Sequence, residues 1–203
     1  MNDATRLRHF DNLYAASDDP WNVRGAWYEQ RKRAVLLASL ARPHYHSVFE
    51  PGCGNGEMSL ALAPRCDTLL ACDGAAGALD AARRRLAAAE TGAHDHVRFE
   101  QRRLPHEWPT GAAFDLVILS ELAYYLEPDA LDALLAQAAA SLAPGGELVL
   151  CHYLHDFDDR VMPTSAVHAA AHRIPGLART LQHHDEAFLL EAWRRLPVAQ
   201  GAP

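Results

Sequence analysis

The feature that most constrains the fold is a glycine-rich turn in which residues 48–58 read VFEPGCGNGEM. A short apolar run leads into glycines at alternate positions, Gly52, Gly54 and Gly56, and a helical pattern follows. Glycine adopts positive φ and carries no side chain, so such a turn lets the backbone approach a ligand closely. The pattern predicts a strand, a ligand-binding turn and a helix, as at the start of many nucleotide-binding α/β folds.

Acidic residues follow two further predicted strands. The strand at residues 68–72 ends in Asp73, where a carboxylate can accept hydrogen bonds from ribose hydroxyls. The strand at residues 114–120 reads FDLVILS and ends in Glu121. Ligands of such sheets bind beyond the carboxyl ends of the parallel strands. We therefore expect the glycine loop, Asp73 and Glu121 at the same edge of the sheet.

The rest of the chain alternates between helical and strand patterns. The predicted helices cover residues 4–14, 27–40, 58–63, 75–90, 130–142 and 165–171, and further strands cover 47–50, 96–101, 147–151, 177–183 and 188–196. Alternating strands and helices imply right-handed crossovers and a doubly wound sheet. The segment Ala143–Gly146 reads APGG and predicts a stop between a helix and the next strand.

Composition narrows the class of protein. The chain has 203 residues and a formal net charge of −7, so no electrostatic footprint for nucleic acid is expected. No stretch approaches the roughly 18 apolar residues of a membrane span. The four cysteines form no C-x-x-C pair, which favours reduced thiols in a cytoplasmic protein. The histidines are scattered and lack an H-E-x-x-H companion, so we predict no metal site.

Several segments together resemble one family. Asp19-Pro20-Trp21, residues 27–33 (WYEQRKR), residues 120–126 (SELAYYL) and residues 188–195 (FLLEAWRR) resemble class I S-adenosylmethionine-dependent methyltransferases, and among them the nodulation protein S (NodS) type. The resemblance implies a Rossmann-like fold with a mostly parallel seven-stranded sheet, an antiparallel last strand and helices on both faces. It also implies one domain over residues 1–203, with a helical lid at 1–40 and a catalytic core at 47–196.

The resemblance further implies transfer of a methyl group from S-adenosylmethionine, which leaves S-adenosylhomocysteine. In the named family member the acceptor is the amino nitrogen of a deacetylated sugar on a chitin-like oligosaccharide. Relatives often read YPLTGD ahead of a Val-His pair, whereas this chain reads RVMPTS at residues 160–165. Because that region would border the acceptor pocket, the cofactor carries over and the exact acceptor does not.

Under this resemblance a set of residues is expected to contact the cofactor. Glu50 would reach the methionine ammonium, Asp73 the ribose hydroxyls and Arg31 the methionine carboxylate. Adenine would be held by backbone groups near Arg103 and by the Leu104 side chain. Trp21 is either a lid over the cofactor or a core aromatic of the N-terminal helices. The full expected set is Trp21, Arg31, Glu50, Gly52, Gly54, Gly56, Asp73, Gly74, Arg103, Leu104 and Ser120.

Three residues are candidates for the chemistry. An ammonium acceptor must lose a proton before it attacks the methyl group, and Glu121 could bind the acceptor and take that proton. His152 is the other candidate base, and Tyr124 could wall the site or orient a sugar hydroxyl. The predicted function is N-methylation of an amino sugar or similar small amine. The alternatives are O-methylation of a sugar or other small molecule, or S-adenosylmethionine binding without catalysis.

The expected partner is a small-molecule or oligosaccharide acceptor. We expect no nucleic acid and no membrane as a partner, and a monomer or a homodimer in solution.

Overall fold

The structure is a computed structural model that describes residues 3–89 and 94–197. Contacts within the chain divide it into two compact units, Met1–Glu107 and Trp108–Pro203. Each unit has its own set of strands with helices between them. The expectation that one domain spans residues 1–203 stays a prediction.

The first unit contains the glycine-rich turn and three parallel strands. Strand β1 pairs in parallel with β2, and β2 pairs in parallel with β3. The elements are α1 (Asp3–Ala16), α2 (Trp27–Ser39), β1 (Tyr45–Pro51), α3 (Glu57–Leu62), β2 (Cys66–Asp73), α4 (Ala76–Ala87) and β3 (Val97–Gln101), with a 3₁₀ turn at Ala63–Arg65. Strand β1 is buried over most of its length and β2 mainly in its second half, as expected for parallel strands covered on both faces.

The second unit continues the alternation and ends in a hairpin. Strand β4 pairs in parallel with β5, while β7 is antiparallel to both β5 and β6. The elements are β4 (Phe114–Ser120), a 3₁₀ turn at Ala123–Tyr125, α5 (Pro128–Ser141), β5 (Leu142–Tyr153), α6 (Thr164–Ala171), β6 (Leu177–His184) and β7 (Phe188–Arg195). Strands β6 and β7 form an antiparallel hairpin.

The seven strands follow the order β3-β2-β1-β4-β5-β7-β6 in one sheet. Strands β2 and β3 lie on one side of β1 and strands β4 to β7 on the other, which is the doubly wound order. Only β7 runs against its neighbours in the described pairings. The predicted Rossmann-like fold, with a mostly parallel sheet and an antiparallel last strand, is confirmed.

The APGG segment differs from the prediction. Helix α5 ends at Ser141 and β5 begins at Leu142, so the segment lies within β5 instead of before it. The pairing runs from Phe114↔Leu142 to Leu116↔Glu147, so one residue of β4 lies opposite four residues of β5, and the extra residues form a bulge. A Cβ atom on Gly146 would lie 2.8 Å from the Ala143 carbonyl oxygen, so a larger residue cannot fit this bulge unchanged.

No helix in residues 3–89 and 94–197 is long and apolar enough to cross a membrane.

Candidate active site

The turn after β1 depends on its glycines. Gly52, Gly54 and Gly56 have φ values of 71°, 54° and 79°, in the left-handed region that residues with a Cβ atom rarely adopt. A Cβ atom on Gly56 would also lie 2.9 Å from Cβ of Ala82 in α4. The turn therefore requires glycine at these positions, because a side chain there would strain the backbone or contact α4.

Asp73, at the end of β2, is fixed to this loop by backbone donors. Its Oδ2 accepts a hydrogen bond of 3.0 Å from the Gly54 N–H, and its Oδ1 accepts one of 2.9 Å from the Ala75 N–H. Burial raises the pKa of the Asp73 carboxyl, against the opposing effect of these backbone hydrogen bonds. Gly74 is a third backbone donor to this carboxylate, and since a carboxylate can accept about four hydrogen bonds, acceptor capacity remains for a ligand hydroxyl.

Glu50 is a buried acid near the end of β1. Its side chain is part of a residue only 4% exposed, and Ser59 donates a hydrogen bond of 2.5 Å to its Oε2. Burial raises the pKa of Glu50 to about 8; the Ser59 hydrogen bond opposes the rise and the Asp73 charge adds to it. A buried carboxyl of this kind favours a cation as its neighbour, which an amino acid's ammonium group would provide.

Helix α1 lies against the glycine loop. A Cβ atom on Gly54 would be 2.9 Å from the Tyr14 hydroxyl oxygen, and one on Gly77 would be 2.8 Å from Tyr14 Cβ. The Trp21 ring packs edge-on to Tyr14 at a centroid distance of 5.8 Å and also contacts Phe10. Trp21 thus packs against the aromatic side chains of α1 while 42% of the residue stays exposed. Tyr14 was not predicted as a site residue, because the sequence pattern indicates only that it lies in a helix.

The Asp-Pro-Trp turn is joined to the loop by hydrogen bonds. Asp19 Oδ1 accepts from the Val23 N–H at 2.7 Å and from Asn55 Nδ2 at 3.0 Å. Two residues past Asn55, Glu57 receives hydrogen bonds from Arg24 at 3.0 Å and from Arg85 at 2.6 Å. Although burial opposes the shift, these arginines lower the pKa of Glu57.

Adenine was predicted to bind near Arg103 and Leu104, and this assignment stays a prediction. The Arg103 N–H donates a hydrogen bond of 2.6 Å to Oε2 of Glu107, and the Arg103 carbonyl accepts one of 2.9 Å from the Glu107 N–H. The backbone N–H and carbonyl of Arg103 itself are therefore both engaged by Glu107, a residue that was not predicted to lie at the site. The Leu104 side chain is half-buried beside them.

Gly74 and Arg31, in the first unit, were also predicted to contact the cofactor. The Gly74 carbonyl accepts a hydrogen bond of 2.9 Å from Gln101 Nε2, next to Asp73. Arg31 lies in α2 and is partly buried. The cofactor roles of both residues stay predictions.

In the second unit, Glu121 follows Ser120, the last residue of β4, in a strained conformation. Its φ of 54° is in the left-handed region, which costs a residue with a side chain on the order of 1–2 kcal/mol. Its Oε2 accepts hydrogen bonds from the Tyr124 hydroxyl and from the Tyr153 N–H, the latter at 3.1 Å. Such strain is found where surrounding contacts hold a functional side chain in place.

An aromatic cluster surrounds the Tyr124 hydroxyl. Tyr124 lies edge-on to Tyr125 and to Phe157, with centroid distances of 4.8 Å and 5.1 Å. The Tyr125 hydroxyl hydrogen-bonds to Tyr124, while burial raises the pKa of Tyr125. The Tyr124 ring is buried, so its hydroxyl is directed by packing toward Glu121.

His152 requires a correction. It was predicted as a base, but it is 0% exposed and both of its ring nitrogens are engaged. Nε2 accepts a hydrogen bond of 3.2 Å from the Ala123 N–H, and Nδ1 lies 3.2 Å from Nε2 of His168. A nitrogen whose lone pair is used by a backbone N–H cannot take a proton from a substrate. Glu121 is thus the base candidate that the geometry retains.

Metal-ligating side chains do not converge in the part of the chain that the structure describes. No group of three or more histidine, cysteine, aspartate or glutamate residues there could hold a metal ion.

Comparison with known proteins places the chain in a family. A family model described as a methyltransferase domain matches residues 49–148. A crystal structure from Pseudomonas syringae, described as a methyltransferase, is 44% identical, and the match covers 84% of this chain and 100% of that chain with a TM-score of 0.72. The chain belongs to the methyltransferase family.

Within this family the similarity to nodulation protein S is confirmed. Nodulation protein S of Rhizobium tropici is 34% identical over 140 residues, which are 68% of this chain and 56% of that protein. This methyltransferase therefore aligns with little more than half of that relative. The N-methyltransferase NodS from Bradyrhizobium japonicum WM9, in complex with S-adenosyl-L-homocysteine, is 24% identical with a TM-score of 0.79 over 93% of this chain and 97% of that chain. That structural likeness shows the shared fold.

Proposed function

We propose that the protein transfers a methyl group from S-adenosylmethionine to the amino nitrogen of an amino sugar or a similar small amine. The observation that carries the proposal is the hydrogen bond between Asp73 and the Gly54 N–H. This bond joins the carboxylate at the end of β2 to a loop of positive-φ glycines. A carboxylate beside such a loop is the arrangement that binds the ribose of a nucleoside in folds of this kind. The similarity to nodulation protein S supports the choice of an amine acceptor.

The residues present suit this cofactor. Glu50 would pair with the methionine ammonium, because a buried carboxyl gains most from a cation. Asp73 would accept hydrogen bonds from the ribose hydroxyls, and the glycine loop would lie along the ligand. We assign Trp21 and Tyr14 to the cover formed by the N-terminal segment. When bound, the cofactor would supply a methyl group activated by the sulfonium, and the acceptor would take that methyl group by in-line displacement of the thioether.

Glu121 would act on the acceptor. Its Oε2 is held by the Tyr124 hydroxyl and the Tyr153 N–H, which fix the direction of the carboxylate. A carboxylate fixed in this way can bind an ammonium and remove a proton, so that the nitrogen lone pair becomes available. Tyr124 then orients the base, and its own hydroxyl needs no change of protonation.

We also propose a cytoplasmic location and a monomer or homodimer acting on a small-molecule or oligosaccharide acceptor. The location rests on the cysteines: Cys53, Cys66, Cys72 and Cys151 are all free and buried, which suits a reducing compartment.

An acceptor screen tests the proposed function. The purified protein is incubated with S-adenosylmethionine and one acceptor at a time: chitooligosaccharides with a deacetylated terminal sugar, monomeric amines, phenols and neutral sugars. Formation of S-adenosylhomocysteine with the amino sugars, and a methyl group on nitrogen by mass spectrometry, is the expected result. A methyl group on oxygen would replace the proposal with O-methylation. Binding of S-adenosylhomocysteine with no transfer to any acceptor would leave a non-catalytic binding protein.

A further inference from the structure

A buried chain of hydrogen bonds extends from the turn after β4 to β7. The Ala123 N–H can only donate, so His152 Nε2, 3.2 Å away, carries no proton. The proton of neutral His152 is therefore on Nδ1, which donates to Nε2 of His168 at 3.2 Å. His168 in turn carries its proton on Nδ1, which lies 2.8 Å from Oε2 of Glu191.

Both histidines are therefore fixed as single tautomers, because this series of hydrogen bonds has the Ala123 N–H as a donor at one end and the Glu191 carboxylate as an acceptor at the other. His152, His168 and Glu191 are 0%, 2% and 1% exposed, so water does not compete for these bonds. Burial lowers the pKa of His168, although Glu191 opposes the shift. At neutral pH the two rings are neutral and the carboxylate is charged.

The charge of Glu191 is balanced on its other oxygen. Its Oε1 accepts a hydrogen bond of 2.7 Å from Arg179, and His172 Nε2 lies 3.2 Å away. Burial alone would favour the protonated acid, yet the bonds from His168 and Arg179 lower the pKa of Glu191 to about 2. The carboxylate therefore stays an acceptor throughout the pH range in which enzymes are usually assayed.

The end of this hydrogen-bond series at Ala123 lies beside the residues that contact Glu121, the candidate base. Ala123 begins the 3₁₀ turn that also carries Tyr124, the hydrogen-bond donor to Glu121. His152 is followed in β5 by Tyr153, whose N–H is the second donor to the same carboxylate oxygen. The rings of His152 and Tyr124 also pack edge-on at 5.2 Å. Both donors to Glu121 are thus attached to segments that His152 holds together.

We propose that His152, His168 and Glu191 form a positioning relay that sets the turn bearing Tyr124 and, through it, the carboxylate of Glu121. This inference rests on the proposed function, in which Glu121 is the base. The relay touches neither the acceptor nor the cofactor; it acts through the direction of its hydrogen bonds. It gives buried His152 a role that differs from the one predicted from the sequence.

Protonation would break the relay. A doubly protonated His168 has two donors, so its Nε2 could no longer accept from His152. If His152 then moved its proton to Nε2, that proton would point at the Ala123 N–H, and two donors would face each other. The groups around His168 are the carboxylate of Glu191, neutral His152, and His172 and Arg179 on the far side of Glu191. The relay therefore predicts loss of turnover at acid pH together with loss of both tautomers.

The first test reads the tautomers in the wild-type protein and needs no acceptor. Long-range ¹H–¹⁵N correlation spectra report which ring nitrogen of each histidine carries the proton, with His168→Asn used for assignment. Nδ1–H tautomers for His152 and His168 at pH 7.5, lost together on acidification well below the ordinary histidine pKa of about 6.5, are expected. An Nε2–H tautomer at either residue, or independent titration near pH 6.5, would overturn the relay even if methyl transfer is confirmed.

The second test uses kinetics with the acceptor found in the screen. His168→Asn keeps a donor for Glu191 but cannot reach His152, and we expect kcat to fall about 10- to 100-fold, the range found for outer residues that orient metal ligands. The affinity for S-adenosylhomocysteine should be unchanged. His168→Gln, whose amide can reach His152, should recover part of the loss. His172→Asn is the matched control, since it also removes a contact to Glu191, and turnover should stay within about twofold.

Equal kcat losses in His168→Asn and His172→Asn would show that losing any contact to Glu191 has the same effect, and would refute the positioning role of the relay. Thermal melts accompany each variant. If His168→Asn fails to fold, the comparison of His168→Gln with His172→Asn and the wild-type spectra decide the matter.

Discussion

The hydroxyl of Tyr124 donates a hydrogen bond to Oε2 of Glu121, three residues earlier in the chain. This contact joins a residue in the left-handed conformation to a buried ring, so Glu121 is held by packing as well as by its backbone. Tyr124→Phe removes the hydroxyl and keeps the ring. We expect kcat to fall about tenfold, which corresponds to one charge-assisted hydrogen bond.

In Tyr124→Phe the Kd for S-adenosylhomocysteine, measured by calorimetry, should stay at the wild-type value. Tyr125→Phe is the control for loss of a neighbouring hydroxyl and should have a smaller effect on kcat. A larger loss of kcat in Tyr125→Phe than in Tyr124→Phe would show that Tyr125, and not Tyr124, makes the orienting contact.

Asp73 provides the test of the cofactor site. Asp73→Ala removes the acceptors that we propose for the ribose hydroxyls and leaves the Gly54 N–H without its partner. We expect a loss of about 2–3 kcal/mol, or roughly 30- to 150-fold in the Kd for S-adenosylhomocysteine. Calorimetry measures the change, and Asp67→Ala, an exposed acid at the other end of β2, is the control. Unchanged affinity in Asp73→Ala would rule out the ribose assignment.

Glu50 should couple cofactor binding to proton release. Its pKa of about 8 means that the free protein carries a protonated Glu50 at pH 6–7.5, whereas an ammonium partner requires the carboxylate. The affinity should therefore rise by up to about tenfold per pH unit between pH 6 and 7.5. Calorimetry in buffers of different ionisation enthalpy should detect release of close to one proton at pH 7. In Glu50→Gln the slope should vanish, and a slope equal to that of the wild type would exclude Glu50 as its source.

The same shift affects the stability of the ligand-free protein. The folded pKa of about 8 lies above the ordinary value of 4.5, so the folded state binds more protons than the unfolded state between these values. The free energy of unfolding contributed by Glu50 is complete below about pH 4.5 and falls as the pH rises toward 8. Comparing the pH dependence of urea unfolding in Glu50→Gln and in the wild type isolates this contribution.

Asp19 should control the N-terminal cover. Its carboxylate bonds to the Val23 N–H and to Asn55 in the glycine loop, so Asp19→Ala releases the turn from the loop. We expect faster hydrogen exchange in residues 19–24 and weaker binding of S-adenosylhomocysteine. In the wild type, the ligand should slow exchange in residues 13–23, as expected for a segment that closes over a site.

Asp18→Ala is the matched control for Asp19→Ala, since it removes the same charge from an adjacent exposed position. Equal exchange with and without ligand in the wild type would show that the segment is a fixed part of the fold.

The parts of the site that depend on backbone chemistry were predictable from the sequence. Glycines at alternate positions after an apolar strand required a positive-φ turn, and the acid at the end of β2 reached it as expected. The APGG segment was predictable as a break, but not as a bulge inside β5, because the pairing with β4 decides which residues remain in the strand.

Burial and hydrogen-bond direction were not predictable in this way. His152 follows the same strand pattern whether its ring faces solvent or His168, and only tertiary packing engages both nitrogens. Glu107 is another case, since its carboxylate reaches back four residues to the Arg103 N–H through a loop without periodicity. Such contacts join residues whose spacing carries no pattern.

Glu121→Gln tests the central claim most directly. The amide keeps the size of the side chain and can still accept from Tyr124, but it cannot take a proton from an ammonium. The measurement is single-turnover methyl transfer from S-adenosylmethionine to the amine acceptor across pH 6–9, with the Kd for S-adenosylhomocysteine measured in parallel. We expect the wild-type rate to rise with pH. In the variant we expect the rate to be about 10²–10⁴-fold lower and the Kd to be unchanged. A variant rate within about threefold of wild type would contradict the account, because general-base help is worth more than this.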